Sequence, residues 1–210
     1  MVSKEKRVFF LYTLLITVLV ITGFSLLYIY KSKENYFLVV RIYNVLEYSL
    51  LAYLFSFYII NKIIRNLLFL SIIGYAIFCV YAFIVSQKPA MPFLPASIEH
   101  VLLLIFILYF FFETIQNITT EPVYQKAIFW ISVAFIINSA GNFFLFLYSK
   151  NSFNDDVFRT QYTVIYGIVT LLKNIFLCIS IPIKENPGKS ISEQTLNIDL
   201  DPFKPIEQKP

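Results

Sequence analysis

The chain has 210 residues, of which 58% are hydrophobic, 19% aromatic and 14% charged, with a formal net charge of +4. A soluble domain averages about 45–50% apolar and about 25% charged residues, so this composition excludes an ordinary soluble enzyme or binding domain. The basic residues sit at the ends of apolar runs and form no cluster able to track a phosphate backbone, so nucleic acid is not an expected partner.

The apolar residues fall into six windows near the ~20 residues that a membrane-spanning helix needs. They are 8–30, 36–60, 66–86, 97–117, 127–148 and 162–183. The runs are too long for barrel strands and do not alternate apolar with polar. The predicted fold class is all-α, a polytopic integral membrane helix bundle of about six transmembrane helices, forming one domain over residues 1–183.

The first window follows "MVSKEKR" but is longer than a signal peptide core and lacks a small-residue cleavage site before "YKSKENY", so it is read as a retained helix. It has only scattered Thr, Ser and Gly residues and is expected to face lipid. The second window carries Arg41, Asn44 and Glu47, which fall within about 120° of one another around a helix at 100° per residue. The third has Ser71 and Gly74. The three prolines of "SQKPAMPFLPAS" stop helix propagation and predict a loop before the fourth window. That window opens with Glu99 and His100, and its Glu113, near the far end, can reach water and is given no role.

In the fifth window Ser132, Asn138, Ser139 and Asn142 share a face, with Gly141 beside them to let a neighbouring helix approach. In the sixth, Thr163, Tyr166, Gly167, Thr170, Lys173, Asn174 and Cys178 recur at steps of three and four and are expected to face protein rather than lipid. Cys79 and Cys178 show no metal or redox spacing and read as buried small apolar residues. Residues 184–210 lose the hydrophobicity and predict a disordered cytoplasmic tail, in which "TLNIDLDPF" could serve as a docking peptide.

Orientation follows the positive-inside bias. Lys4, Lys6, Arg7, Lys62, Arg65, Lys126, Lys184, Lys189, Lys204 and Lys209 fall on the side of the termini, against Lys31, Lys33, Lys88, Lys150 and Arg159 on the other. The N- and C-termini are therefore expected in the cytoplasm, and the chain in the cell inner (plasma) membrane. With that orientation Glu47 lies 11 residues past Tyr36 and Lys173 lies 11 past Tyr162. At 1.5 Å per residue both are about 16 Å deep, near the midplane of a ~30 Å core.

Glu47 and Lys173 are accordingly expected to form a buried ion pair, with Asn138 and Asn174 as hydrogen-bond partners and Asn142 and Asn44 in the same polar layer. Nearer the outer surface, Arg41 is expected to pair with Glu99, with His100 close by. Arg41 could instead snorkel to the surface, and a lone His100 is more often structural than a proton switch. The polar layer is open to two readings, a structural lock within the bundle or a pathway through it.

Motif chemistry is absent. One histidine excludes a H-E-x-x-H metal site, and no Walker A loop, G-x-G-x-x-G or nucleophilic serine motif occurs. No cofactor, no metal and no enzymatic activity are expected. The stretch "FWISVAFIINSAGNFFLFLYS" (129–149) resembles small multi-pass inner-membrane proteins of Bacteroidota, often encoded near sensor histidine kinases. That resemblance implies a sensory or regulatory association and brings no functional residues with it. The expected function is a non-enzymatic sensory, regulatory or scaffolding module acting through the lipid bilayer and a membrane partner such as a sensor kinase. A small transporter or channel using the polar layer is the alternative, and an intramembrane enzyme ranks below both.

Overall fold

The structure, a computed structural model, describes residues 4–85, 93–117, 122–152 and 155–183. Six helices follow in chain order: α1 (Lys4–Tyr28), α2 (Lys33–Ser56), α3 (Lys62–Val85), α4 (Phe93–Gln116), α5 (Ala127–Ser152) and α6 (Asp156–Ser180). All six are long and apolar enough to cross a membrane, and no strand occurs among the described residues. The chain is an all-α six-helix bundle and a multi-pass membrane protein. The predicted tail, with its docking peptide, and Lys88 in the third loop lie outside the described residues.

Every predicted window contains a helix, but the ends differ. α2 stops at Ser56 rather than running to residue 60, and residues 57–61 form a turn into α3. α4 starts at Phe93, so Pro95 lies in its first turn, where a missing N–H interrupts no intrahelical bond. α1 closes through a tight turn in which Lys31 takes a positive φ of 52°. α6 is capped by Asp155, whose side chain accepts from the Val157 N–H at 3.0 Å.

Packing sorts the helices into two groups. α2, α4 and α5 carry most of the buried residues, with α5 held between α4 and α6 and α2 between α1, α3 and α4. α1, α3 and α6 present most of their surface outward, as bilayer-facing helices do. The core is apolar and aromatic, with Tyr48, Leu51, Phe55, Leu68, Ile107 and Phe135 fully enclosed.

Two close approaches set the geometry. A Cβ on Gly141 would lie 2.6 Å from Val169 Cγ2, so glycine is required where α5 meets α6. On α1, Gly23 faces Tyr36 of α2. The lipid-facing hydroxyls of α1 are satisfied within the helix. Thr17 Oγ1 donates to the Thr13 carbonyl at 2.7 Å, and Thr22 and Ser25 donate to carbonyls one turn back. Scattered Thr and Ser therefore cost an outward-facing span little.

Glu113 corrects the expectation that it has no role. It is buried, and its two carboxylate oxygens accept the backbone N–H groups of Ile60 and Asn61, each at 2.8 Å. A carboxylate from α4 thus sits at the N-terminus of α3, where unpaired N–H groups and the helix dipole both favour negative charge. Asn61 completes the cap by accepting from the Ile63 N–H at 2.9 Å.

Candidate functional site: a buried polar centre

Glu47 is placed by α2 with only 5% of its side chain exposed. Its Oε1 accepts from the Tyr12 hydroxyl of α1 at 2.9 Å and faces the Lys173 ammonium of α6 at 3.6 Å. The Lys173 ammonium also lies 5.7 Å from the centre of the Phe135 ring of α5, and the same ring meets Tyr12 edge-on at 5.8 Å. One carboxylate oxygen and one aromatic ring therefore join four helices at a single level. The ion pair expected from depth is formed. The two asparagines expected as its hydrogen-bond partners do not join it.

Asn138 is buried, but its side-chain oxygen accepts from Asn142 Nδ2 at 3.0 Å, one turn along α5. Asn174 is exposed on the outer side of α6. The physical reason is angular. Lys173 and Asn174 are consecutive and so point 100° apart. Val169, Lys173, Leu177 and Ser180 are the residues α6 buries. The sequence treated two adjacent arcs as one face, and Gly167, Asn174 and Cys178 belong to the outer one. Cys178, expected buried, is exposed; Cys79 is half-buried.

The outer cluster is also arranged differently from the expectation. Glu99 takes a hydrogen bond from Tyr75 of α3 at 3.3 Å and forms no ion pair with Arg41. The Arg41 guanidinium instead lies 4.8 Å from the centre of the Phe83 ring. Arg41 keeps partial exposure near the end of α2 while Glu99 is almost fully enclosed, so pairing would require the guanidinium to be desolvated as well. His100, the next residue on α4, turns to α5 and stacks on Phe146 with ring centres 5.3 Å apart. The pair Glu99–His100 thus faces two different neighbours. Tyr75 shares its hydroxyl with the Pro95 carbonyl at 3.2 Å and meets Tyr48 edge-on at 4.9 Å. The Tyr48 hydroxyl bonds to Ser71.

Asn44 Nδ2, Glu99 Oε1, His100 Nδ1, Ser139 Oγ and Asn142 Oδ1 are buried and have no hydrogen-bond partner among the described residues. Such groups are uncommon in a bundle interior. Among the described residues no three His, Cys, Asp or Glu side chains gather as metal ligands.

Compared with family models, curated proteins and solved structures, this chain matches none. Its functional reading therefore rests on the centre itself. Sequence reasoning missed Tyr12, Phe135 and Tyr75. For Tyr12 a signal existed. Eleven residues separate Tyr12 from Gly23 on α1, and eleven separate Tyr36 from Glu47 on α2, so the facing pairs follow the register of one antiparallel hairpin closed by a short turn. Phe135 and Tyr75 lie among so many aromatic residues that composition alone does not single them out.

Proposed function

We propose that the protein is a non-enzymatic regulatory module of the inner membrane, with both termini in the cytoplasm, acting through a membrane partner such as a sensor kinase. The observation that carries this reading is the shared Glu47 oxygen. It ties α1 and α6, two helices with little buried surface, to the central α2 through side chains alone. Breaking or re-forming that node would change how two outward-facing helices are held to α2, while α6 remains packed on α5 and α1 on α2. A partner touching those helices would register the change. The resemblance of residues 129–149 to membrane proteins encoded beside sensor kinases, and the excess of Lys and Arg on the side of the termini, support the same reading.

The test is in-membrane cross-linking in the native host, comparing the natural protein with Glu47→Gln, Lys173→Met and the double variant. A specific partner should be recovered, and its yield should change in the single variants while the protein remains folded in the membrane. Recovery of no partner would overturn the proposal.

A second reading, a conduit for a small polar solute, is favoured by the orphaned Asn44, His100 and Asn142 groups. Purified protein in vesicles distinguishes the two. Solute or proton flux that is lost in Asn142→Leu with folding intact would favour the conduit.

A further inference from the structure

The outward side of α6 carries an amide and a glycine among exposed apolar residues such as Ile168, Leu171 and Ile175. Gly167, Asn174 and Cys178 are exposed there, and with Tyr166 and the half-buried Thr170 they line an open groove. Asn174 is 12 residues past Tyr162, about 18 Å along the helix, so its amide sits near the middle of a ~30 Å hydrocarbon core. Unlike the hydroxyls of α1, it makes no hydrogen bond among the described residues. An amide facing hydrocarbon is unfavourable unless another protein group meets it.

Gly167 gives an independent indication. A Cβ there would meet nothing within 4 Å, so nothing in the described bundle requires glycine, in contrast to Gly141 against Val169. A glycine inside a helix lowers its stability and is found in membrane spans where a second backbone comes close. α3 supplies the control. Gly74 is equally open, but the exposed amide of its helix, Asn66, lies in the second turn near the helix end, and Leu70, Ile73 and Ile77 beyond it are exposed and apolar, as lipid prefers.

We propose that this face of α6 binds a second copy of the same chain, forming a parallel two-fold dimer within the membrane. Self-association is favoured over a different protein by the chemistry of Asn174. A two-fold axis along the membrane normal sets each Asn174 opposite its twin at one depth, and an amide carries both a donor and an acceptor, so it complements itself. A different partner would need its own polar group at the same level. Gly167, seven residues earlier, permits close approach, and Cys178 lies one turn beyond. A polar residue at one such position fixes register and oligomer state in paired helices. The dimer does not depend on the regulatory reading above, since it rests on the outer arc of α6 and not on the Glu47 node.

Cys178 offers a direct test. Protein carrying Cys79→Ser, reconstituted in phosphatidylcholine–phosphatidylglycerol vesicles at high dilution, should oxidise to a disulfide-linked dimer through Cys178 and should bleach in two steps when singly labelled. Asn174→Leu and Gly167→Ile should each weaken association roughly tenfold, whereas Gly74→Ile should leave it unchanged. All three positions face open space, so helix content by circular dichroism should be the same in the variants as in the parent. Single-step bleaching, meaning lipid alone covers the face, would overturn the proposal. So would a dimer indifferent to Asn174→Leu and Gly167→Ile, or cross-linking of Cys178 in native membranes only to a different protein.

Discussion

Glu47 is buried at the membrane midplane, where Tyr12 and Lys173 meet the same carboxylate oxygen. Removing Lys173 leaves a buried carboxylate without its cationic partner. Lys173→Met should therefore destabilise the bundle by about 3–5 kcal/mol, and the Glu47→Gln, Lys173→Met double variant should recover a large part of that loss. Tyr12→Phe keeps the ring against Phe135 and deletes one hydrogen bond, so it should cost only about 0.5–1.5 kcal/mol. Thermal unfolding in detergent ranks the three. Glu113 makes a different residue-scale case. Glu113→Ala strands two backbone N–H groups at the start of α3 and should cost about 1–3 kcal/mol, with faster hydrogen exchange at Ile60 and Asn61. Glu113→Gln retains an acceptor and should fall between the two. The sequence alone suggested water for Glu113, because the turn that exposes those two N–H groups exists only once α2 has stopped at Ser56.

At the scale of elements, the six helices were legible because spanning length and unbroken hydrophobicity are local properties of the chain. Their contacts were less so. The polar pattern of α6 identified a polar helix but not which arc of it turns inward, since period alone gives relative angles and not direction. On α1 the polar pattern was blank, and the important residue was a tyrosine whose ring belongs in an apolar core as readily as at an interface. Where a small residue marked a close approach, the reading was sound. Gly141 lies where α5 and α6 come nearest. Gly141→Leu should separate them and destabilise the bundle by about 1–3 kcal/mol, and adding Val169→Ala should restore part of that loss. The same pair of unfolding measurements tests it, with Gly74→Leu as a silent reference.

For the whole molecule, the chain by itself determined that it enters a membrane as six helices. Burying that much apolar surface in lipid while satisfying the backbone within each span leaves no other solution. It also placed Glu47 and Lys173 at one depth, because rise per residue converts position into depth directly. Only the tertiary structure decided which groups meet at that depth. It brought Tyr12 to Glu47, sent Asn138 to Asn142, parted Glu99 from Arg41 and left Asn174 outside. These outcomes depend on the rotation of each helix about its own axis and on which helices become neighbours. Both are set by packing among α2, α4 and α5, and no single span encodes that packing, because lipid and protein interiors favour the same apolar residues.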